Sequence, residues 1–276
     1  MAAITAQMVK DLRERSGLPM MDCKQALSET GGDAEKALEL LRKRGAAAAE
    51  KKAGRATSEG RIGAFIDRAK GIAAIVEMLC ESAPVGNSPA FKELANNVAR
   101  EAALSGQTNA EALRNQKLAD NPAATVNDLV CDVVNVIREN MQVGRVVRME
   151  GHPAVYAHFT GKVGVILNAE GTGSDEVLND VCMHIAAMRP QAVSREQIPA
   201  GEVEKEREIA SEQVRAAGKP ANIVDKIVSG KLDRWFSERV LLEQPFVKDD
   251  KRTVGDVLKQ AGVKVTQFAR LEVGVA

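Results

Sequence analysis

Apolar positions recur at helical spacing in three runs within residues 1–45, and a turn signal separates each run from the next. Thr5 is a good N-cap, Met8, Val9 and Leu12 then share one face, and Gly17 closes the first helix as a C-terminal glycine. Pro19 suits the entry to a second helix, in which Cys23, Ala26 and Leu27 face inward at i, i+3 and i+4. Gly31-Gly32 ends that helix, Asp33 caps a third, and Ala34, Ala37, Leu38 and Leu41 form its stripe. Three short helices bury little surface, so the module is marginally stable. The corner from Arg15 to Lys24 sets Met20 beside Met21. Such a pair is either a plug for a small core or an adaptable contact surface.

Residues 45–60 are rich in Ala, Lys and Glu and interrupted by glycine, which predicts a linker, partly helical at best, and a boundary near Gly54. Beyond it the period changes. Segments 61–66 and 72–80, separated by Asp67-Arg68-Ala69-Lys70-Gly71, predict a β-hairpin, and 81–88 predicts a loop. Ser88-Pro89 opens a long helix whose inward stripe is Phe91, Leu94, Ala95, Val98, Ala99 and Ala102. A second long helix covers roughly 123–140, with Val126, Leu129, Val130, Val133 and Ile137 facing in.

The pattern then repeats in outline, with strands at 143–149, 154–159 and 163–169 and a helix at 175–188 stopped by Pro190. Residues 202–239 are charged and helical, broken at Gly218-Lys219-Pro220. There Ile209, Ala210 and Val214 would meet Ile223, Val224, Ile227 and Val228 in a helical hairpin too thin in apolar residues to hold a core of its own. Gln244-Pro245-Phe246, a short helix at 254–260 and a closing strand at 263–273 complete the chain. The expected class is α+β: an N-terminal helical module with linker at 1–54, α+β core subdomains with antiparallel sheets at 55–142 and 143–276, and a projecting hairpin at about 195–240.

Composition narrows the function. The chain is 45% hydrophobic and 28% charged, with 38 basic residues against 38 acidic ones, so no overall field draws in nucleic acid or an anionic membrane. Aromatics at 3% also argue against base-stacking surfaces. Cys23, Cys80, Cys131 and Cys182 stand far apart without metal-ligand spacing, as expected of reduced thiols in a cytoplasmic protein. No run of about 18 apolar residues offers a membrane span.

The chain offers little catalytic chemistry. Gly161-Lys162 lacks the Ser/Thr and the earlier glycine of a phosphate loop. In Gly171-Thr172-Gly173 the third glycine of a dinucleotide fingerprint is replaced by Glu176. His152, His158 and His184 lack ligand spacing, and no nucleophile elbow occurs. Neither an enzyme activity nor a cofactor or metal is expected.

One stretch carries more than physics. Leu12-Arg13-Glu14-Arg15-Ser16-Gly17-Leu18-Pro19-Met20-Met21-Asp22-Cys23-Lys24-Gln25-Ala26-Leu27 resembles the N-terminal signature of the bacterial translation elongation factor Ts family. The likeness continues through Gly31-Gly32-Asp33, Gly161-Lys162-Val163-Gly164-Val165, Met183-His184-Ile185-Ala186-Ala187, Gly218-Lys219-Pro220, Gln244-Pro245-Phe246-Val247 and Arg270-Leu271-Glu272-Val273-Gly274. It covers essentially the whole chain, in order.

The resemblance implies a nucleotide exchange factor for elongation factor Tu, binding it in GDP-bound and nucleotide-free form, and an N-terminal module similar to a ubiquitin-associated domain. It implies no direct nucleic-acid or membrane partner, a cytoplasmic location, and the hairpin as either a homodimer contact or a contact with the partner. Partner-binding positions carry over to Arg13, Met20, Met21, Lys24, Ile137, Arg138 and His158, the last on the middle strand of the second unit. For Ile137 core packing, and for His158 a solvated strand position, remain open.

The family's loop that dislodges the partner's Mg2+ carries Thr-Asp-Phe-Val. Here the matching positions are Ser82, Ala83, Pro84 and Val85, without the carboxylate or the aromatic wedge. That departure keeps alive a second reading, a holding or scaffold protein for the same partner with weak exchange.

Overall fold

The computed structural model describes residues 4–217 and 220–275. Helices α1 (Ala6–Ser16), α2 (Met20–Glu29) and α3 (Ala34–Glu50) form the N-terminal module. The Thr5 hydroxyl accepts from the Met8 N–H, Gly17 turns left-handed at φ 67°, and the Asp33 carboxylate accepts from the Glu35 and Lys36 amides. Val9, Leu12, Leu18, Cys23, Ala26, Leu27, Ala37 and Leu41 bury a small core. The linker expected from Gly45 is a correction: α3 runs on to Glu50. Gly45 is buried inside it, and a Cβ there would stand 2.9 Å from the Asn135 amide nitrogen. Glycine is thus the close-approach point between helices, where sequence alone reads a breaker.

The first core unit contains β1 (Glu59–Asp67), β2 (Ile72–Cys80), the short α4 (Ala83–Gly86), α5 (Pro89–Ser105), the short α6 (Ala110–Arg114), α7 (Val126–Ile137) and β3 (Met141–Glu150). The expected 81–88 loop therefore holds one helical turn. The strand expected at 143–149 to open the second unit instead completes the first sheet, in order β1-β2-β3, all antiparallel. An apolar pattern marks a strand but not its sheet.

The second unit contains β4 (His152–Ala157), β5 (Val163–Gly171), α8 (Asp175–Met188), α9 (Ala200–Ala216), α10 (Ala221–Arg239), β6 (Pro245–Phe246), β7 (Asp249–Thr253), α11 (Val254–Ala261) and β8 (Val263–Glu272). Its main sheet is β4-β5-β8, antiparallel, and β6-β7 is a small ribbon. The α+β class is as the sequence led one to expect.

The sheets lie face to face. Ile62, Ala73, Ile75, Met149, Ile166 and Leu271 form the layer between them. On the far side of β2, Ile72, Ala74, Val76 and Met78 meet α5 and α7, and on the far side of β5, Val165, Leu167 and Ala169 meet α8 and α11. Both central strands are buried on both faces, so they read as near-continuous apolar runs rather than alternating ones. At Gly164 a Cβ would fall 2.3 Å from Ile62 Cγ2, so only glycine permits this sheet spacing.

The bulge in β3 has a chemical consequence. Val76 pairs with Val146 but Met78 with Val143, so β3 carries one extra residue across from Glu77. The bulge aims Arg145 at Glu77, which is 5% exposed, and its guanidinium donates to that carboxylate from Nε at 2.9 Å and Nη2 at 3.0 Å. Nη2 also reaches the Glu272 carbonyl at 2.6 Å, and the Gly274 N–H donates to Glu77 at 3.3 Å. One carboxylate so ties β2, β3 and the end of β8 together.

The hairpin corrects another expectation. Gly218 and Lys219, the expected break, lie outside the described residues. Ala210 and Val214 of α9 and Val228, Leu232 and Phe236 of α10 bury a core of their own with Ala192, Ile198 and Val240. The apolar count looked thin because the flanking strap completes it. Of the expected contact residues, Ile209 and Ile223 are exposed instead.

Candidate functional site

Met20 and Met21 occupy the first turn of α2, ahead of its inward stripe, and are 52% and 71% exposed. They do not plug the module's core. Arg13 and Lys24 are exposed on α1 and α2. Between the methionines and Lys24, Asp22 accepts from Arg138 Nη2 at 2.6 Å. That contact joins the N-terminal module to the end of α7.

Arg138 closes α7 with φ 69°, left-handed without being glycine. Such a conformation costs about 1–2 kcal/mol for an L-residue. It turns the chain so that Arg138 reaches α2 while Glu139 reaches the other way. Glu139 accepts from the Ser82 N–H at 3.1 Å and from the Ser82 hydroxyl at 2.6 Å. Asn140, buried, donates from its side chain to the Ala53 and Arg55 carbonyls, pinning the linker to the same corner. Ile137 is half-buried and packs on the first core, which favours its packing reading.

The 82–85 segment is the N-terminal part of α4. Ala83 and Pro84 are exposed, whereas Val85 is half-buried against the first core. The apolar projection at this turn is therefore Ala83 and Pro84, small and rigid, without Val85. Phe91 is fully buried. Cys80 lies under the turn, donates to the Ser82 carbonyl at 3.3 Å, and is pushed up to about 11, first by burial and then by the Glu139 charge. A thiol held protonated this way is a packing group, not a nucleophile.

Past α4, Arg61 Nη1 donates to the Gly86 carbonyl at 3.2 Å. The same guanidinium packs on Gly161, where a Cβ would lie 2.5 Å from Cζ. The Ile62 N–H bonds the Gly161 carbonyl at 2.8 Å, and Lys162 pairs with Glu59. Arg61 therefore sits between the α4 turn and the β4–β5 turn.

His158 lies on that second turn. The expectation of a middle strand is corrected: β4 is an edge strand and ends at Ala157. The His158 N–H bonds the Val163 carbonyl, and its Nδ1 is 2.9 Å from the Tyr156 hydroxyl. Next to it Phe159 is 84% exposed, its ring 4.4 Å from the imidazole. Sequence reading placed Phe159 in the strand; the signal against that was Thr160-Gly161, a turn pair directly behind it.

Met20, Met21, Arg138, Ser82 and His158, far apart in sequence, are thus joined by one chain of contacts, with Arg13, Lys24 and Ile137 outside it. It runs from Met20 and Met21 through Asp22, Arg138 and Glu139 to Ser82, and from Gly86 through Arg61 and Gly161 to His158. Glu139, Arg61 and Phe159 are members that sequence reading missed. The surface offers exposed apolar tips, each beside a polar contact. Among the described residues no group of three or more His, Cys, Asp or Glu is placed to hold a metal, and no helix is long and apolar enough to cross a membrane.

A family model described as Elongation factor TS matches residues 84–275. Among similar proteins, Elongation factor Ts of Thioalkalivibrio sulfidiphilus is 45% identical over 276 residues, covering 98% of this chain and 92% of its own. That of Aquifex aeolicus is 42% identical, covering 99% and 98%, and that of Clostridium kluyveri 38%, covering 98% and 93%.

Proposed function

The chain belongs to the elongation factor Ts family, and from that premise we propose that it is the guanine-nucleotide exchange factor of a cytoplasmic elongation factor Tu. In this reading it binds the GDP-bound partner, displaces the partner's Mg2+ and promotes GDP release so that GTP rebinds. It performs no bond chemistry itself; the nucleotide and the metal belong to the partner.

The observation that carries the reading is the continuous edge described above. Met20 and Met21 are the docking corner, with Arg13 and Lys24 beside them. Packing of α3 on α7 at Gly45 holds that corner, and Asp22–Arg138 and Glu139–Ser82 orient it toward Ala83 and Pro84. A rigid frame matters because exchange is linkage: a factor that prefers the nucleotide-free partner weakens GDP by the factor by which GDP weakens it. Interaction energy gained at the methionines is useful against the nucleotide site only if it is not lost in bending the frame between them.

Ala83 and Pro84 have neither an acidic group nor an aromatic ring, so each contact made by this turn contributes less than the methionine corner does. That same feature favours the second reading, a holding protein with weak exchange.

Release of a fluorescent GDP analogue from the cognate elongation factor Tu separates the two. Acceleration at substoichiometric amounts, with GDP dissociating the complex, supports exchange; stable binding without acceleration supports the holder. Replacing Ser82, Ala83, Pro84 and Val85 by glycine should slow release less than Met20→Ala/Met21→Ala. The reverse order would refute the ranking.

A further inference from the structure

We propose that Phe159 is an anchoring residue for elongation factor Tu, inserted into an apolar recess of the partner beside the contact made by the α4 turn. The proposal rests on the exchange-factor reading and adds a residue to its surface.

Among the described residues Phe159 is the most exposed large apolar side chain, at 84%. A phenyl ring left in water contributes nothing to folding, since burial is what makes it favourable. Its turn is nevertheless built firmly. The Gly161 N–H bonds the His158 carbonyl at 2.8 Å, the His158 N–H bonds the Val163 carbonyl at 2.9 Å, and Gly161 is itself bonded to Ile62 of the other sheet. His158 packs against one side of the ring and is held in place by the Tyr156 hydroxyl. An aromatic group with two torsions, on a turn whose backbone is already fixed, loses little conformational freedom when it binds. Aromatic anchors of that kind dominate interface energetics.

The occupant follows from continuity. Arg61 touches both turns, through the Gly86 carbonyl on one side and Gly161 on the other, so Phe159 and Ala83-Pro84 belong to one frame. A partner that engages Ala83 and Pro84 therefore meets the phenyl ring next. The α4 turn presents small groups; the large apolar projection next to it is Phe159.

The experiment titrates Phe159→Ala and Phe159→Leu against wild type in the fluorescent-GDP release assay, with affinity for nucleotide-free elongation factor Tu measured in parallel. Phe159→Ala should raise the half-saturating concentration and the Kd about tenfold, as expected for an aromatic anchor, with the plateau rate changed less than about twofold. Phe159→Leu should lose no more than about threefold, since an apolar side chain still fills the recess. Unchanged thermal unfolding of both variants confirms that the fold is intact. Wild-type acceleration with Phe159→Ala indistinguishable in both readouts overturns this proposal and leaves the exchange reading standing. Wild-type protein that neither binds nor accelerates overturns both.

Discussion

Replacing Glu77 by glutamine tests whether one buried carboxylate holds the two sheets together. The substituted amide would keep the size and one acceptor oxygen, but it would lose the charge that faces Arg145 and turn an N–H2 group toward the guanidinium in either orientation, at Nε or at Nη2 with the Gly274 N–H beside it. Each of those is a donor, so one donor pair must separate. Gly144 leaves room for the carboxylate, since a Cβ there would stand 2.9 Å from Glu77 Oε2. Breaking a fully buried pair by removing one partner costs about 3–5 kcal/mol. The Arg145 side chain is 37% exposed and regains water in part, which brings the expected cost to about 2–3 kcal/mol.

That loss is measured from urea unfolding followed by far-UV circular dichroism. The single tryptophan, Trp235, lies in α10 and would report the hairpin rather than the sheets. The double variant Glu77→Met/Arg145→Met should recover most of the loss, because removing both charges removes the desolvation penalty along with the attraction. A Glu77→Gln loss below about 0.5 kcal/mol would refute the reasoning, since that is the scale of an ordinary surface substitution. A double variant as unstable as the single one would place the cost in packing rather than in an orphaned charge.

Two further outcomes follow from the same geometry. Gly45→Val drives a branched side chain into Asn135 and should push α3 from α7 at a cost of about 1–3 kcal/mol; amide exchange should accelerate across residues 6–50 and stay unchanged in the sheets. The second concerns His184, which is fully buried: its Nδ1 accepts from the Val247 N–H at 3.2 Å and its Nε2 pairs with Gln244 Oε1 at 2.9 Å, so the neutral ring uses both nitrogens. Burial pushes its pKa down from the ordinary 6.5, so the unfolded chain binds the proton more readily. The stability it contributes is therefore present above about pH 6.5 and lost as pH falls below it, and the urea midpoint should drop more steeply from pH 6.5 to 5 in wild type than in His184→Gln. Parallel slopes would refute it.

What the sequence made legible was whatever depends on local rules. Caps at Thr5, Asp33 and Ser88, the glycine stop at Gly17 and the stripe of α8 from Asp175 to Met188 are set by neighbours within a turn or two, and they stand where expected. Apart from the end of β4 at Ala157 and the helical turn at Ala83–Gly86, which are local, the misplacements are long-range. Gly45 looks like a breaker unless Asn135 is known to lie against it. Residues 141–150 form a strand by pattern, but their sheet is chosen by pairing with β2. The hairpin core was invisible because Ala192, Ile198 and Val240 come from outside it. On the surface the exposure of Met20 and Met21 was an open question that their place ahead of the inward stripe decides. Glu139 and Arg61 gave no signal, since a charged residue in a helix-end or strand pattern ordinarily faces solvent.

The candidate edge is assembled from chain segments around 20, 60, 82, 138 and 159, and the way they are joined constrains how it can act. Each junction is a charged or hydrogen-bonded group working behind an exposed apolar tip: Asp22–Arg138 behind the methionines, Glu139–Ser82 behind Ala83 and Pro84, Arg61 behind the β4–β5 turn. Exposed ion pairs are individually weak, about 0–1 kcal/mol, and Asp22–Arg138 alone does not fix the module. The firmer restraint is apolar and steric: α3 crossing α7 at Gly45, and the two sheets closing on each other through Ile62 and Gly164. The ion pair and the hydrogen bonds then have the smaller task of choosing orientation within a frame already set by packing. This division explains how the α4 turn can carry Ala83 and Pro84, small groups with no polar reach, and still belong to a working surface. In a rigid frame the position of a contact is supplied by the whole edge, and the strength of any one tip is left to its own side chain.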